Sequence, residues 1–345
     1  MGLYEEIFEQ AAVAERILSE QRENIERIAA ALRSRQPDYI FLAARGTSDN
    51  AGRYINYLWG AYNQLPVALA TPSLFSVYQK PPRLGNALVI GISQSGKSPD
   101  IVSVLKEAHN QGCPTLTITN APGSPLSTLA DWEIDICAGE EKAVAATKSY
   151  TASMMAAAML SCALAQDTER WEALLKVPGW MREVLTLDES IARLAERYRF
   201  MDQCVVLGRG FNYSTAFEWS LKMKELCYVM ADPYSSADFQ HGPIALVEQG
   251  FPVMAIVNKG EVLSDLLGLM ELLCDERKVE LLTISNDDDA LSLAQSGIRL
   301  PEAMPEWISP IVSIVPAQLF AYYLTLAKGF DTEAPRGLKK VTETF

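Results

Sequence analysis

Residues 87–100 read ALVIGISQSGKSPD, and this stretch decides how the chain folds. The apolar residues 87–92 are typical of a buried strand. Ser98 suits a helix N-cap, because its hydroxyl can accept a backbone N–H, and Pro99 suits the first helical position, where no N–H is needed. The stretch therefore predicts a strand, a polar turn over residues 93–98 and a helix that begins at Pro99.

The turn between this strand and helix is a predicted anion site. Gly96 lets the backbone approach a ligand closely, and Ser93, Ser95 and Ser98 add hydroxyl groups. The N-terminus of the following helix presents unpaired N–H groups and the positive end of the helix dipole, which favour an anion. We expect a phosphate ester there, although turns of this composition also occur without a ligand. No nucleotide or other cofactor is predicted.

The composition is typical of a globular protein with two domains. The chain has 345 residues, 49% of them hydrophobic, and a formal net charge of −13. Such an acidic balance argues against a nucleic-acid or anionic-membrane surface as a partner. The cysteines lack the spacing of metal ligands, so we expect reduced thiols and no metal; they are Cys113, Cys137, Cys162, Cys204, Cys227 and Cys274.

Two further features predict a cytoplasmic protein. The first residues are acidic where a signal peptide needs a basic segment. The most apolar stretch, residues 150–165, is too short to span a bilayer and is interpreted as a buried helix.

The chain repeats itself at an offset of 164 residues. Residues 40–46 (IFLAARG) resemble residues 204–210 (CVVLGRG), and the strand and turn at 89–96 resemble residues 253–260. Two matches at one offset indicate a duplicated unit.

The second copy lacks the hydroxyls of the anion turn. At the offset positions, Val257 replaces Ser93 and Lys259 replaces Ser95. We therefore expect that the second copy has lost its anion site and that its corresponding face is free for other work.

Alternation of short apolar strands with longer helical segments predicts an α/β fold of two tandem three-layer αβα units with parallel, flavodoxin-like sheets. The predicted strands of the first unit are 39–43, 66–70, 87–92, 114–118 and 133–136, and its helices are 49–62, 99–110 and 147–165. A single long helix over 3–33, two helices within 166–200 and a last helix over 309–328 complete the prediction. The predicted domains are 1–34, 35–165, 166–200, 201–329 and 330–345.

In such sheets ligands bind beyond the carboxyl ends of the strands. The turn Arg45-Gly46-Thr47-Ser48 and the anion turn both fall there. Together they are expected to surround one phosphate.

Candidate catalytic residues lie in the second half of the chain. Glu218, Lys222 and Glu225 share one face of a predicted helix, a spacing that by itself is more typical of a solvated salt-bridge face. His241 lies in a Gly-Pro turn, whereas His109 lies late in a helix and suits a dipole partner. Lys340, in the tail, is either solvated or a lysine that forms a Schiff base with a carbonyl.

These residues belong to motifs that resemble the double sugar-isomerase (SIS) family, and in particular the isomerase half of glucosamine-6-phosphate synthase. The motifs occur in the family's order: RGTS at 45–48, SQSG at 93–96, VAATK at 144–148, LKMKE at 221–225, HGP at 241–243 and PRGLKK at 335–340. The resemblance extends over almost the whole chain.

The resemblance implies a role for each candidate. The phosphate cradle would consist of Ser93, Gln94, Ser95 and Ser98, with Arg45, Gly46, Thr47 and Ser48 beside it. Val144 would line the sugar pocket, and Lys222 would belong to the same surface as Glu225. The catalytic residues would be Glu225, which moves a proton between C1 and C2, His241, which assists ring opening from the neighbouring subunit of a homodimer, and Lys340, which engages the open-chain carbonyl.

Departures from the synthase pattern favour a deaminase. Arg45, Lys97 and Ala146 replace the usual cysteine, glutamate and serine, and the chain begins at the linker helix, so no glutaminase half is expected. The sequence looks more like the stand-alone type II deaminases, which convert glucosamine 6-phosphate and water to fructose 6-phosphate and ammonia. The alternatives are another phosphosugar isomerase, a glutaminase-less aminotransferase, a fructosamine-phosphate deglycase and, from another class, a non-catalytic sugar-phosphate sensor.

Overall fold

The computed structural model describes residues 2–340. Contacts within the chain divide these residues into two compact units. The N-terminal-sheet unit comprises Ala12–Glu141, Ala146–Lys176 and the tail residues Lys339 and Lys340. The C-terminal-sheet unit comprises residues 2–11, Lys142–Ala145 and Val177–Leu338. The last part of the predicted tail, 341–345, lies outside the described residues.

The strands and helices alternate along most of the chain. The strands are β1 (Tyr39–Ala43), β2 (Val67–Leu69), β3 (Ala87–Ser93), β4 (Thr115–Thr119), β5 (Trp132–Asp135), β6 (Gln203–Gly208), β7 (Met230–Ser235), β8 (Pro252–Val257), β9 (Glu280–Ser285) and β10 (Ser296–Arg299). The helices are α1 (Leu3–Phe8), α2 (Gln10–Glu20), α3 (Arg22–Arg35), α4 (Gly46–Asn63), α5 (Ser73–Ser76), α6 (Pro99–Asn110), α7 (Pro125–Leu129), α8 (Lys148–Ala165), α9 (Thr168–Leu174), α10 (Val177–Leu185), α11 (Asp188–Arg197), α12 (Tyr213–Cys227), α13 (Ser236–Gln240), α14 (Leu263–Asp275), α15 (Asp288–Leu293) and α16 (Ser309–Ala327).

The N-terminal-sheet unit contains a five-stranded parallel sheet in the order β2-β1-β3-β4-β5. Strand β3 is buried along its whole length, as its continuous apolar run predicts for a parallel sheet covered on both faces. Helix α6 begins at Pro99, as predicted. Helix α8 is buried on almost every side, which its small Ala and Ser residues and its flexible Met side chains permit.

The C-terminal-sheet unit repeats this topology. Its parallel strands follow the order β10-β9-β8-β6-β7. Read from the other edge as β7-β6-β8-β9-β10, this is the order of the first sheet, with β6 to β10 in the places of β1 to β5. The register is also kept: Leu42 pairs with Ile90, and Val206 pairs with Met254, each residue shifted by 164 positions. The predicted duplication is therefore confirmed.

Two helical predictions are wrong. The single helix expected over 3–33 is three helices, α1 to α3, separated at Glu9 and Gln21. The two helices expected within 166–200 are also three, α9 to α11. Neither Glu9 nor Gln21 is a glycine or proline, so the composition carried no helix-breaking signal at these positions.

Helix α16 is a long helix with a largely apolar sequence. Its 19 residues are long and apolar enough to cross a membrane by length and composition alone. However, 78% of its most apolar window is buried, and it packs against α10, α11 and α12 within the C-terminal-sheet unit. This is the setting of a core helix. The helix continues through Pro316 without a break.

Candidate functional site

The anion turn has the compact geometry that its sequence predicts. Ser93, at the end of β3, is buried, and its hydroxyl oxygen accepts the N–H of Gly96 at 3.1 Å. Gly96 has a φ of +62°, and a Cβ built there would lie 1.9 Å from Ser124 Oγ. Both the left-handed conformation and the close packing require glycine at this position.

Ser98 differs from its prediction in one respect. It occupies the N-cap position of α6, but its hydroxyl accepts no hydrogen bond from the helix. The sequence expectation of a side-chain cap is therefore wrong, because the Ser98 backbone (φ −58°, ψ 113°) lies outside the extended region usual for a capping residue. The first N–H groups of the helix thus lack this side-chain acceptor, which suits the binding of an external anion.

Residues 91–98 (GISQSGKS) match the letter pattern of a nucleotide phosphate loop, G-x-x-x-x-G-K-[ST]. The structural context differs from that of such a loop. Gly91 lies inside β3, paired with Ala43 and Thr117 on the neighbouring strands. Only Gln94 to Ser98 form the connection to α6, and Lys97 is exposed. The single-phosphate site at this turn stays a prediction.

The second predicted turn, residues 45–48, begins helix α4. Gly46 has a φ of +53° and starts the helix, with Thr47 and Ser48 in its first turn. Arg45 Nε lies 2.6 Å from Oδ2 of the buried Asp100 on α6. This ion pair joins the two turns and orients the arginine along the edge of the predicted cradle.

Lys340 lies against a carboxylate that the sequence analysis missed. Its Nζ donates to Glu141 Oε2 at 2.7 Å. The buried Glu141 side chain also accepts the N–H groups of Thr147 and Ser149, at 3.0 and 3.1 Å, and the Ser149 hydroxyl at 2.8 Å. Glu141 is thereby held at the N-terminus of α8, where the helix dipole favours a negative charge.

The electrostatics of this carboxylate follow from its partners. Burial alone would raise the pKa of the Glu141 carboxyl, but the Lys340 ammonium and the N–H groups of Ser149 and Thr147 outweigh burial, and the pKa is lowered. In the sequence Glu141 follows Glu140 in a polar stretch, and nothing local distinguishes the two carboxylates. Its only sequence signal is its position a few residues before the start of a helix.

Glu218, Lys222 and Glu225 form a compact cluster on α12. Lys222 Nζ lies 3.2 Å from Glu218 Oε1 and 2.6 Å from Glu225 Oε2. The side chains of Glu218 and Lys222 are 0% and 1% exposed, whereas that of Glu225 is 24% exposed. The alternative of a solvated salt-bridge face is therefore wrong for this helix.

The buried lysine stays charged. Burial alone would lower the pKa of the Lys222 ammonium, but Glu218 and Glu225 outweigh burial and raise the pKa well above its ordinary value. One cation faces two carboxylates, and Glu225 is the carboxylate with access to solvent. The cluster can present a carboxylate of defined position to a small molecule.

The two remaining candidates lie in other segments of the C-terminal-sheet unit. His241 is exposed in the turn that follows α13, and its backbone N–H donates to the backbone carbonyl of Asp238. Val144 lies in the segment Lys142–Ala145, where the buried Glu6 carboxylate accepts the N–H groups of Lys142 and Ala143. Glu6 is a second residue that the sequence analysis missed, because it lies far away in the sequence, on α1.

Known proteins resemble this chain over almost its full length. The chain is 33% identical over 351 aligned positions to the glutamine–fructose-6-phosphate aminotransferase (isomerizing) of Thermus thermophilus, an alignment that covers 98% of this chain and 58% of that protein. The chain thus spans less than two thirds of the length of this relative. The corresponding enzyme of Aquifex aeolicus is 34% identical over 303 residues, covering 87% of this chain and 51% of that protein.

A solved structure has the same fold. The C-terminal domain of glucosamine-fructose-6-phosphate aminotransferase from Francisella tularensis superposes with a TM-score of 0.80 at 27% identity, covering 94% of this chain and 98% of that one. The model of the SIS domain matches the chain twice, at residues 35–163 and 201–328. Together these matches cover more than half of the sequence and coincide with the two sheets. The chain therefore belongs to the SIS domain family and carries two copies of the domain.

Proposed function

We propose that the chain is a phosphosugar isomerase that acts on an amino-sugar 6-phosphate, interconverting glucosamine 6-phosphate and water with fructose 6-phosphate and ammonia. The observation that carries the proposal is the cluster on α12. A partly exposed carboxylate, Glu225, is held by the fully buried Lys222. Aldose–ketose conversion needs a carboxylate or similar base that serves two neighbouring carbons.

In this proposal the phosphate end of the substrate is held by the anion turn. Ser93, Gln94, Ser95 and Ser98 supply hydroxyl, amide and N–H donors, and the turn Arg45, Gly46, Thr47 and Ser48 supplies its other side. The Arg45–Asp100 ion pair supports this arrangement, because it joins the two turns. Binding the phosphate far from the reacting carbons orients them for proton transfer.

The reacting end is assigned to three side chains. Glu225 removes a proton from one of the carbons C1 and C2 and returns it to the other. Lys340 engages the open-chain carbonyl, either by hydrogen bonding or by forming an imine with loss of water. The Glu141 carboxylate supports this role, because it fixes the position of the lysine amine. His241 assists ring opening and, as an exposed residue, is proposed to act in a neighbouring subunit of a homodimer.

Two directions of the same chemistry are compatible with these residues. The relatives named above are aminotransferases, which favours formation of the amino sugar. Lys97 and Ala146 favour deamination, the main sequence prediction. The comparisons support the broader isomerase assignment and favour the aminotransferase alternative over the deaminase.

The test is turnover in both directions. Purified chain is incubated with glucosamine 6-phosphate, and ammonia and fructose 6-phosphate are measured; the reverse reaction uses fructose 6-phosphate with an ammonium salt. We expect both reactions, with the initial rates identifying the favoured direction. No turnover of any sugar phosphate at high enzyme concentration, with phosphosugar binding intact, would leave the sensor alternative and overturn the proposal.

A further inference from the structure

The second SIS copy contains a counterpart of the anion turn. Strand β8 ends at Val257, residues 258–262 form the connection, and α14 begins at Leu263. Gly260 stands at the position of Gly96, and Gly210, with a φ of +58°, stands at the position of Gly46. The two turns that are expected to surround a phosphate in the first copy therefore both persist in the second.

The second pair of turns already holds a carboxylate. Glu306, from the segment before α16, directs its Oε2 to the N–H of Glu261 at 2.8 Å. The same oxygen lies 2.1 Å from the position that a Cβ on Gly260 would take, and Oε1 lies 3.8 Å from the corresponding position on Gly210. The carboxylate thus binds the turn after β8 and lies close to Gly210 of the other turn, at the position equivalent to the predicted phosphate site of the first copy.

The Glu306 carboxylate is held by backbone N–H groups, as a bound anion would be. The pKa of the Glu306 carboxyl is raised, mainly by burial, and the N–H groups of Glu261 and Val262 offset part of this rise by favouring the ionised form. These N–H groups lie at the start of α14, a helix of 13 residues whose dipole is positive at that end. Gly260 matters for the same reason as Gly96, because any side chain there would displace the bound group.

We propose that the second SIS copy retains a working anion-binding loop whose ligand is the Glu306 carboxylate of the same chain. The loss of serines at 257 and 259 did not abolish the loop; an internal anion replaced the external one. Removal of this carboxylate opens a second site for phosphate or a similar oxyanion. The inference is independent of the reaction that the first copy supports.

The test counts phosphate sites in the 345-residue chain. Ser93→Ala and Ser98→Ala together disable the first anion turn, and inorganic phosphate is titrated by calorimetry. Adding Glu306→Ala to this background should create one phosphate site per chain. The phosphate affinity of this variant should exceed that of the Ser93→Ala, Ser98→Ala chain at least about tenfold, since a hydrogen bond to a charged group is worth at least that factor.

Glu302→Ala is the matched control. Glu302 lies in the same segment, its side chain is 83% exposed and it pairs with Lys259 at 3.3 Å, so its removal changes the net charge equally and leaves Glu306 in place. Equal phosphate binding by the Glu302 and Glu306 variants would overturn the proposal, as would the absence of a new site in a folded Glu306 variant.

A second substitution covers the case in which the alanine variant does not fold. Glu306→Gln keeps the size of the side chain and removes its charge, so it should bind phosphate more weakly than the alanine variant and more tightly than the parent. If neither variant folds in chloride, folding on addition of phosphate supports the proposal, and failure to fold in phosphate contradicts it.

Discussion

Glu225 differs from its two neighbours on α12 by its access to solvent. Glu218 and Lys222 are buried, so they position the cluster, whereas Glu225 is the member that a substrate can reach. The same spacing in the sequence is by itself more typical of a solvated face. The distinction between a reactive and a solvated carboxylate is made by burial of its partners, which is a tertiary property.

The first prediction concerns Glu225 itself. Glu225→Gln keeps the shape of the side chain and removes its basicity, so turnover should be lost while phosphosugar binding by the anion turn remains. Turnover is measured by ammonia release and binding by calorimetry with a phosphosugar. Activity like that of the unmodified chain would remove Glu225 from its proposed role.

The second prediction concerns the buried lysine. Lys222→Met removes the ammonium group that pairs with the buried Glu218, and removal of one partner of a buried pair costs about 3–5 kcal/mol of stability. Lys224→Met, two residues along the same helix but exposed, should change stability by less than about 0.5 kcal/mol. Urea unfolding of both variants checks the difference; similar midpoints would show that the cluster contributes little.

The third prediction concerns Glu141 as a positioning residue for Lys340. Glu141→Gln removes the anion that holds the lysine amine, so kcat should fall by up to about 100-fold, the cost of misplacing a reacting group. KM should change much less, because the phosphate-binding turn is not altered. Glu140→Gln, at the neighbouring exposed position, is the control. A change in KM alone would contradict the role.

Glu141 also predicts a pH dependence of stability. Its pKa is lowered in the folded chain, so its contribution is fully present above the ordinary carboxyl value of 4.5 and is lost as the pH falls through the folded value. The stability difference between the unmodified chain and Glu141→Gln should therefore shrink as the pH is lowered below 4.5. Denaturant unfolding over this pH range measures it; a constant difference would show that the ion pair is not the cause.

At the scale of elements, the connection from β3 to α6 is the predicted phosphate-binding segment. Most of its features were predictable, because the apolar run, the glycine and the Ser-Pro pair act locally. The side-chain cap by Ser98 was predicted and is absent, since the backbone of that residue adopts another conformation. The three helices in place of 3–33 were also missed, since no local signal marks their ends.

The fourth prediction tests the glycine of this connection. Gly96→Ala places a methyl group against Ser124, so it should weaken phosphosugar binding at least about tenfold and destabilise the fold by more than about 1–2 kcal/mol, the cost of a left-handed residue alone. Gly112→Ala is the matched control, because Gly112 also has a positive φ but no neighbour within 4 Å of the added atom. Equal effects of the two substitutions would show that the close packing at Gly96 is unimportant.

At the scale of the whole molecule, the duplication organises the chain. Both sheets have the same strand order and register, yet the two copies have different chemistry at the ends of their strands. The first copy retains a serine-rich turn, whereas Glu306 fills the equivalent turn of the second. A residue from a later segment, Glu306, therefore lies at this turn of the second copy.

The fifth prediction concerns assembly. If His241 acts in the site of a neighbouring subunit, a chain with His241→Ala and a chain with Glu225→Gln should recover activity when mixed, because one of the two sites in a mixed dimer then contains both residues. Activity is compared between the mixture and each variant alone. If mass measurement shows that mixed dimers have formed and activity is still not recovered, His241 acts in the site of its own chain.

The sequence by itself determined the α/β repeat, the parallel strand pattern, the anion turn and the family. These follow from hydrophobic periodicity, turn chemistry and motif order, which are local or are repeated along the chain. Only the tertiary structure decided that Lys222 is buried, that Glu141 meets Lys340 across 199 positions of sequence and that Glu306 accepts an N–H of the turn after β8. These contacts depend on long-range packing, which removes water from charged groups and so determines which carboxylates are internal partners and which remain accessible.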